Sequence, residues 1–536
     1  MADYPPIAPA LPGARLRFFI RTIPLAIGGG LLTATSPVPL EFTTMGFVGP
    51  AILLLAIEGK PRDRASWKRG FAAGWLFSLM INAVALYWVV GLLQVFAGFP
   101  WFAAVPTALL LWSAQAVPYG IAGAFAAALM GRGAKGYWVL PLCLVVAASF
   151  TPSLFPWRIG NSQIPWPLFI QLAELGGEPI IDLAVCLASC GALEFARSRN
   201  RLAGGLALAA FAIPTIYGAV RMPMVRAEWE AAPLVRVGVV QPNVGIFEKR
   251  DRSLAPRHLD ELQADSAALE RAGAEIIVWP ESAYPYDIHR TRTHDFQDHR
   301  SVRGEDIGAS VLFGTLSYDL VSIHPATAGR MSRVERLNAR SRRYNSILAI
   351  DREGRITGIA DKVELLAFGE YTPLWDYVPA LQRNFGRGLT PGDEVKILEL
   401  EGHRIGVLNC YEDVLPHYGI TVGRKNPHFL VNATNDAWFG ETSEPFLHQM
   451  VARMRSVETR RDLVRAVNTG VSSHTLPTGE DAIRTPISVR RRFIAEVHAM
   501  EGLTPWVRYG DLVSPALAGI LLGAAFALRV RKVATG

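Results

Sequence analysis

The chain changes character twice along its length, from long apolar runs to a mixed region and back to one apolar run. Eight apolar runs predict membrane helices, because about twenty apolar residues in a helix cross the hydrocarbon core of a bilayer. The predicted spans are 18–35, 43–58, 70–95, 101–130, 137–152, 167–194, 203–220 and 512–528. The pattern therefore predicts a multi-span α-helical membrane domain of seven helices at 1–221, a water-exposed domain at 232–508, and an eighth membrane helix with a tail at 511–536.

Short apolar runs rich in Val and Ile characterise the water-exposed domain, and several of them stop at a polar residue. The predicted strands are 235–240, 276–278, 311–316, 346–350, 405–408, 429–431 and 463–467, with helical patterns at 259–272 and 444–461. Such alternation indicates a layered α/β fold. Ligands gather at the carboxyl ends of strands in these folds. We therefore expect Glu281, Cys410 and Asn435, which follow strand ends, to converge on one site.

Composition and charge place the water-exposed domain outside the cytoplasm. Half of the 536 residues are hydrophobic (50%), which is high for a soluble protein of this size. Basic residues cluster in alternate connections between the predicted spans: Arg15, Arg17, Lys60, Arg62, Arg64, Lys68, Arg69, Arg132, Lys135, Arg197, Arg199, Arg201, Arg529, Arg531 and Lys532. Because cytoplasmic loops carry the excess of Lys and Arg, both termini are predicted to be cytoplasmic. The net charge of +7 is consistent with attraction to anionic lipid.

Cys410 is the one cysteine of the predicted water-exposed domain, since Cys143, Cys186 and Cys190 lie in apolar segments. Structural thiols outside the cytoplasm usually form disulfides. A lone thiol there is either a small buried hydrophobe or a nucleophile, and taken alone the first alternative is the commoner one.

A nucleophilic thiol needs a base, and the oxyanion that it creates needs a donor. Glu281 is the candidate base, because it follows the apolar run 276–278 and Trp279-Pro280. Lys362 is the candidate oxyanion donor, although a solvated surface lysine is an equal alternative on position alone. No zinc-ligand spacing relates the cysteines to the histidines His289, His294, His299, His448 and His474. No phosphate-binding or dinucleotide glycine motif is present either, so the sequence predicts no metal and no cofactor.

These residues fall within a series of short motifs that occur in a fixed order. The motifs are Trp279-Pro280-Glu281-Ser282, Tyr344-Asn345-Ser346, Lys362 with Phe368-Gly369-Glu370-Tyr371, Cys410-Tyr411-Glu412, Asn435-Asp436-Ala437-Trp438-Phe439-Gly440, and Arg465-Ala466-Val467-Asn468-Thr469-Gly470. In them the chain resembles the nitrilase superfamily with its Glu-Lys-Cys triad. With the flanking apolar runs, it resembles more narrowly the apolipoprotein N-acyltransferases of bacterial envelopes.

The resemblance implies a nitrilase-like αββα sandwich with Glu281 as general base, Lys362 as oxyanion donor and Cys410 as nucleophile. The supporting residues that it implies are Glu370, Tyr411, Glu412, Asn345 and Asn435, and the candidate lipid entrance is Trp438 with Phe439. Two alternatives stay open: Glu370 and Glu412 as structural ion-pair partners of Arg453 or Arg455, and Trp438 as a core residue.

The reaction implied is a two-step acyl transfer through a thioester on Cys410, from a phospholipid to the amine of a diacylated lipoprotein. The resemblance further implies a monomer in the bacterial inner membrane, with a periplasmic catalytic domain and no nucleic-acid partner. The alternatives are a membrane-anchored amidase and a non-catalytic lipoprotein-binding paralogue. The second rests on one departure, since Glu364-Leu365-Leu366-Ala367 stands where the family usually has His-Leu-Val-Pro. Glu364 is expected to hold Lys362 in an ion pair.

Overall fold

The computed structural model describes residues 21–35, 42–58, 66–320, 341–373 and 388–534, together with Trp375 and Tyr377. The predicted basic residues Arg15, Arg17, Lys60, Arg62 and Arg64 lie outside the described residues. The chain forms two compact units. The first comprises Met1–Leu172, Glu178–Gly218 and Tyr509–Gly536, and the second comprises Ala173–Gly177 and Ala219–Arg508.

Fourteen α-helices occur in the described part of the chain. They are α1 (Ile23–Ala34), α2 (Thr43–Glu58), α3 (Trp67–Ala85), α4 (Val89–Ala97), α5 (Trp101–Met130), α6 (Gly136–Phe150), α7 (Pro167–Ile170), α8 (Ala173–Ser198), α9 (Arg201–Ala231), α10 (Ile246–Arg250), α11 (Ala255–Arg271), α12 (Pro416–Arg424), α13 (Glu444–Thr459) and α14 (Pro505–Ala534).

Four of these helices, α5, α8, α9 and α14, are long and apolar enough to cross a membrane. The pair α3 and α4 meets the same test together, with a bend of 58° at the break between them. Helices α1, α2 and α6 are apolar but shorter, at 10–17 residues. An apolar helix or helix pair thus occupies each predicted run in the described residues. The number of spans and their orientation stay predictions.

Helix α9 continues well beyond the predicted span 203–220. The prediction was too short because an apolar run marks only the part of a helix that can lie in a membrane. The residues of α9 beyond that run carry charged side chains. In the first unit, α3 and α5 approach closely through glycine. A Cβ on Gly70 would lie 2.2 Å from the carbonyl oxygen of Gly123, so a larger residue would force the two helices apart.

Thirteen β-strands lie in the described residues of the second unit. They are β1 (Leu234–Gln241), β2 (Ile276–Val278), β3 (Ile288–His289), β4 (Ser310–Leu320), β5 (Ser341–Ile350), β6 (Ile356–Asp361), β7 (Ile397–Leu400), β8 (His403–Asn409), β9 (Phe429–Thr434), β10 (Leu463–Val467), β11 (Ser473–Thr475), β12 (Asp481–Arg484) and β13 (Arg491–His498).

The strands form two sheets. The first has the order β13-β1-β2-β4-β5-β6, with β3 paired to β4, and the second has the order β12-β11-β10-β9-β8-β7. Strands β1, β2 and β4 are parallel in the first sheet. Strands β8, β9 and β10 are parallel in the second. Parallel neighbours bring their carboxyl ends to one edge of each sheet, as the sequence pattern requires for a shared site.

The hydrophobic core lies between the two sheets. Alternate residues of β1, such as Val235 and Val237, meet residues of the second sheet such as Val407 and Val431 in one buried cluster. A second cluster packs α11 on the outer face of the first sheet, and a third packs α12 and α13 on the outer face of the second. This order of layers confirms the predicted αββα sandwich.

The seven predicted strands all occur, and 463–467 has the observed limits of β10. Strands β3, β6, β7, β11, β12 and β13 and helices α10 and α12 were not predicted. Most of the missed strands are short or lie near a sheet edge, where polar residues interrupt the apolar run that identifies a buried strand.

Candidate active site

Four strand ends supply the residues of the candidate site. Glu281 follows β2 after Trp279-Pro280, and Lys362 follows β6 directly. Cys410 follows β8, and Asn435 follows β9. The first two come from one sheet and the last two from the other, so the site uses both sheets of the sandwich.

A close backbone contact fixes Glu281. A Cβ on Gly314 of β4 would lie 2.5 Å from the carbonyl oxygen of Pro280 and 2.6 Å from the Cα of Glu281. Only glycine at position 314 lets the loop after β2 lie against β4. The next residue, Ser282, has a left-handed backbone with φ of 44°. The turn therefore holds the buried Glu281 carboxylate in a defined direction.

Lys362 lies between two carboxylates. Its Nζ is 2.8 Å from Oε2 of Glu370 and 3.5 Å from Oε1 of Glu281, and its side chain is only 2% exposed. Burial alone would lower the pKa of Lys362, but its acidic neighbours Glu281, Cys410 and Glu370 together raise it. Lys362 is thus a cation at neutral pH in a water-poor position, as an oxyanion donor has to be.

Asn345 of β5 links the two carboxylates to each other. Its Nδ2 donates to Oε1 of Glu281 at 2.6 Å and to Oε1 of Glu370 at 2.9 Å. Its Oδ1 accepts from Nδ2 of Asn409 at 3.1 Å. Asn409 immediately precedes Cys410, so this chain of hydrogen bonds runs from the candidate base to the candidate nucleophile.

Cys410 has an unusual backbone conformation. Its φ is 53°, a left-handed value that costs free energy in a residue with a Cβ and that occurs preferentially at functional sites. Asn432 supports the turn, because its Nδ2 donates to the carbonyl oxygens of Cys410 at 3.1 Å and Leu408 at 3.2 Å.

Burial, together with the charge of Glu281, raises the pKa of the Cys410 thiol to about 12, and Lys362 and His448 oppose the rise. The thiol is therefore protonated at neutral pH. A base has to take its proton as it attacks.

Glu412 holds the loop of Lys362 against the loop of Cys410. Its carboxylate accepts from the backbone nitrogens of Val363 at 2.7 Å, Glu364 at 3.1 Å and Asn409 at 2.8 Å. It also completes a capping box with Asn409 on the 3-10 helix Cys410–Val414. Burial raises the pKa of Glu412 to about 7, and these hydrogen bonds limit the rise.

The alternative that Glu370 and Glu412 pair with Arg453 or Arg455 is wrong. Glu370 pairs with Lys362, and Glu412 is held by backbone N–H groups. The helix α13 arginines have carboxylate partners elsewhere, namely Asp481 for Arg453 and Glu458 for Arg455.

The expected ion pair between Glu364 and Lys362 is also wrong. Glu364 pairs instead with His417 at 3.1 Å, and both side chains are exposed. The two residues are separated by Val363 after the end of β6, and sequence proximity did not bring their side chains together. The turn that follows is closed by a hydrogen bond from the nitrogen of Phe368 to the carbonyl oxygen of Tyr371 at 2.8 Å.

The remaining predicted residues surround this centre. Tyr411 is half-buried and packs against the cluster beneath the second sheet. Asn435 accepts from Nδ2 of Asn468 at 3.0 Å, which anchors the loop after β9. Trp438 and Phe439 are half-buried, so neither is a fully buried core residue. Trp438 ends the 3-10 helix Asp436–Trp438.

A second charged cluster near Cys410 was missed. His448 of α13 bonds through Nε2 to Asp413 at 2.9 Å and through Nδ1 to Asp436 at 3.2 Å, and Arg465 pairs with the other oxygen of Asp413. Burial alone would lower the pKa of His448, but its carboxylate neighbours, Asp436 first, raise it to about 10. A histidine four residues after Glu444 on a predicted helix was the available signal.

Donor atoms of Asp436, Glu444 and His448 lie within 4.8 Å of one another, close enough for a metal ion. Both ring nitrogens of His448 are engaged by carboxylates, however, and Nε2 bonds to Asp413 outside this group. An imidazole that donates two hydrogen bonds has no lone pair to give a metal. The geometry fits an imidazolium better than a metal ligand, and the prediction of no metal stays a prediction.

Known proteins resemble both parts of the chain. A family model described as carbon-nitrogen hydrolase matches residues 236–488, and one described as the apolipoprotein N-acyltransferase N-terminal domain matches residues 29–191. An apolipoprotein N-acyltransferase of Allorhizobium ampelinum is 31% identical, with 84% of each chain covered. One of Rhizobium etli is 32% identical, with 85% of this chain and 86% of the relative covered. One of Geobacter metallireducens is 28% identical over 95% of this chain and 96% of the relative.

Among solved structures, a mutant amidase of the nitrilase superfamily from Nesterenkonia AN1 aligns with 51% of this chain and 93% of its own. The sequence identity is 14% and the TM-score is 0.35.

Proposed function

The chain belongs to the apolipoprotein N-acyltransferase family, and on that premise we propose that it moves an acyl chain from a phospholipid to the N-terminal amine of a diacylated lipoprotein. The resemblance drawn from the short motifs is confirmed. The protein is an acyltransferase with a membrane domain. We propose in addition which substrates it uses, that it forms a thioester, and which role each site residue has.

In the first half-reaction, the sulfur of Cys410 attacks the carbonyl carbon of a phospholipid ester while Glu281 accepts the thiol proton. Transfer of the proton during attack fits a thiol whose pKa is raised to about 12. The carbonyl oxygen becomes an oxyanion, and Lys362 donates a hydrogen bond to it. When the tetrahedral species collapses, the ester C–O bond breaks. The lysophospholipid oxygen leaves with the proton held by Glu281, and an acyl thioester remains on Cys410.

In the second half-reaction, the α-amine of S-diacylglyceryl cysteine attacks the thioester carbon, and Glu281 accepts a proton from the nitrogen. Lys362 again faces the oxyanion. The C–S bond breaks, the sulfur of Cys410 recovers a proton from Glu281, and an amide is released. One base and one oxyanion donor thus serve two successive acyl transfers in a ping-pong mechanism.

The observation that carries this proposal is the position of Lys362. It lies 3.5 Å from Glu281, and the carboxylate of Glu412 joins the loop of Lys362 to the loop of Cys410 by accepting from Val363 and Asn409, so base, donor and thiol lie close together. The same observation speaks against the non-catalytic alternative. Its one support was the altered segment Glu364-Leu365-Leu366-Ala367, and Glu364 pairs with His417 rather than with Lys362.

We place the reaction at the outer surface of the bacterial inner membrane, with a periplasmic catalytic domain and both termini in the cytoplasm. The alternation of basic connections supports this orientation. Both substrates are lipids, which gives a reason for a catalytic domain to be joined to membrane helices. The proposal takes the enzyme to be a monomer without a cofactor.

Detection of the thioester tests the proposal. Purified protein incubated with phosphatidylethanolamine should gain one acyl mass on the peptide that contains Cys410, and hydroxylamine should remove it. Cys410→Ala should abolish the adduct, whereas the control Cys186→Ala, in the buried face of α8, should keep it. Adding a diacylated lipopeptide should discharge the adduct and produce a triacylated product.

Two results would contradict the proposal. One is a folded wild-type protein that never carries the acyl group under turnover conditions. The other is rapid turnover of small soluble amides without any phospholipid adduct, which would favour the amidase alternative.

A further inference from the structure

A cavity of about 380 Å³ opens beside the candidate base. Ser282, the residue after Glu281, lines it, and so does Asn468, which anchors the loop after β9. The cavity lies within the second unit. It is therefore close enough to the candidate site to hold part of the same substrate.

Cations dominate the lining of this cavity. Lys249, Arg250, Arg252 and Arg343 line it, against two acidic residues. One acidic residue, Asp287, is already paired with Arg343 and lies 4.0 Å from Arg252. The other, Asp251, uses its carboxylate to cap Ser253 in the adjoining turn. In the part of the chain that the structure describes, neither acidic residue of the lining forms an ion pair with Lys249 or Arg250.

Lys249 is the most informative of these cations. Its Nζ donates to the carbonyl oxygen of Glu281 at 3.3 Å, and it has no carboxylate partner among the residues that the structure describes. Burial lowers the pKa of Lys249 to about 8, and the nearby Glu281 carboxylate limits the fall. A partly desolvated ammonium group that forms no ion pair gains free energy when an anion binds.

Arg250 connects the cavity to the candidate lipid entrance. Its guanidinium lies over the ring of Trp438, 5.3 Å from the ring centroid. The contact positions the cation by a cation–π interaction. No described residue pairs with the guanidinium through a carboxylate, so its N–H donors can bind the oxygen atoms of a ligand. The aromatic group and the positive charge thus occur together, in the arrangement that an amphipathic lipid with an anionic headgroup requires.

We propose that Lys249 and Arg250 bind the phosphate of the acyl donor, so that this cavity holds a phospholipid headgroup next to the reacting ester. The proposal rests on the proposed function and adds a residue set for recognition of the donor. Lys249 also connects recognition to chemistry, because the loop it contacts carries Glu281. Binding of the phosphodiester would therefore fix the position of the headgroup relative to the Glu281 carboxylate.

Binding can be measured without acyl transfer in the Cys410→Ala protein. The probes are a short-chain phosphatidylglycerol, the diacylglycerol with the same chains, and glycerol 3-phosphate, each titrated into detergent-solubilised protein. Lys249→Gln and Arg250→Gln in this background should each weaken phosphatidylglycerol binding about tenfold, the size expected for one charged hydrogen bond. Diacylglycerol binding should be unchanged. The control Arg257→Gln, an exposed residue of α11 paired with Glu261 and outside the lining, should bind like the parent.

Three outcomes would overturn the headgroup site. They are unchanged phosphatidylglycerol binding in both variants, an equal loss for phosphatidylglycerol and diacylglycerol, and glycerol 3-phosphate binding as tight as that of the lipid. The last would indicate a site for soluble phosphate esters. Failure of the proposed function would give a different result. Phospholipid binding would still depend on Lys249, but the wild-type protein would never form the thioester.

Discussion

Two buried charged clusters act on Cys410, and they differ in what their cations have left to donate. The lysine cluster consists of Lys362, Glu281, Glu370 and Asn345. The histidine cluster consists of His448, Asp413, Asp436 and Glu444. Lys362 lies between two carboxylates and His448 lies among three, and each cation lowers the pKa of the Cys410 thiol against the effect of burial.

The difference is in the donors. Lys362 has three N–H groups, of which one meets Glu370 at 2.8 Å while Glu281 lies 3.5 Å away, so a donor is available to a substrate oxyanion. His448 has two ring N–H groups when protonated, and Asp413 and Asp436 take both. Similar charge arrangements can therefore have different roles. Lys362 can donate a hydrogen bond to the reacting atoms of the substrate. His448 can only position the residues around Cys410 and lower the pKa of its thiol.

The largest expected effect follows from removing the free donor. Lys362→Met keeps most of the side-chain volume but loses the cation, so the oxyanion is unsupported and Glu281 and Glu370 face each other unpaired. We expect the single-turnover rate of thioester formation to fall at least about a thousandfold. The rate is measured by mass spectrometry of the Cys410 peptide, which gives the acylated fraction at timed intervals.

A thermal unfolding curve has to accompany that measurement, because an unpaired buried carboxylate also destabilises the fold. A folded Lys362→Met protein that acylates within tenfold of the wild type would remove the distinction between the two clusters.

A smaller loss is expected when the lysine keeps its charge but loses its nearest partner. Glu370→Gln retains the shape that Asn345 contacts and removes the negative charge 2.8 Å from Lys362. Because that charge helps to raise the pKa of Lys362, the variant should lower the pKa. We expect thioester formation to slow by about ten- to a hundredfold, with Lys362 still protonated near neutral pH.

The rate as a function of pH checks this result. In Glu370→Gln the rate should decline at high pH earlier than in the wild type. An unchanged rate at every pH would mean that Glu281 and Asn345 suffice to hold Lys362.

The histidine cluster should respond differently. His448→Gln removes the positive charge and keeps a hydrogen-bonding side chain. Since His448 lowers the pKa of Cys410, its loss should raise that pKa further and slow thioester formation, by about tenfold. The rate should recover partly as the pH rises. A thousandfold loss independent of pH would instead indicate that His448 contacts the substrate.

The stability of the fold as a function of pH provides a second test of the charge on His448. A role confined to catalysis would not change this stability. The pKa of His448 is about 10 in the folded protein against 6.5 for an ordinary histidine. A raised pKa stabilises the fold fully below pH 6.5, and the contribution is lost as the pH rises through about 10. The wild-type unfolding temperature should therefore fall over this window by more than that of His448→Gln. Parallel curves for the two proteins would contradict a charged His448.

The two clusters also differ in how far the sequence predicts them. Glu281 and Cys410 follow apolar runs that become strands, and the end of a buried strand is a position that a local pattern identifies. Lys362 follows β6, whose apolar run in Ile356–Asp361 is interrupted by Thr357 and Gly358, so only the motif resemblance distinguished it from a surface lysine. Asn345 lies inside the strand β5, and its contact with Glu281 spans 64 residues of sequence.

The histidine cluster has no such local pattern. His448 meets Asp413 across 35 residues of sequence because α13 packs over the 3-10 helix that begins at Cys410. Nearly all of α13 is buried, so a helical period does not single out the position of His448, and it does not show that an acidic residue of another element lies beside it. The buried positions of Asp413 and Arg465 depend in the same way on tertiary packing.

The smallest expected effect concerns the residue whose pairing the sequence predicted wrongly. Glu364→Gln breaks the pair with His417, in which the two side chains are 43% and 63% exposed. Exposed pairs contribute about 0–1 kcal/mol to stability, because water screens the charges and the side chains lose entropy when they pair. We therefore expect a thioester-formation rate within twofold of the wild type and an unchanged unfolding temperature. His417→Gln is the matched control and should behave the same way. A tenfold change in rate for Glu364→Gln, absent in His417→Gln, would mean that Glu364 reaches Lys362 during turnover. In that case the lysine cluster would have to include a third carboxylate.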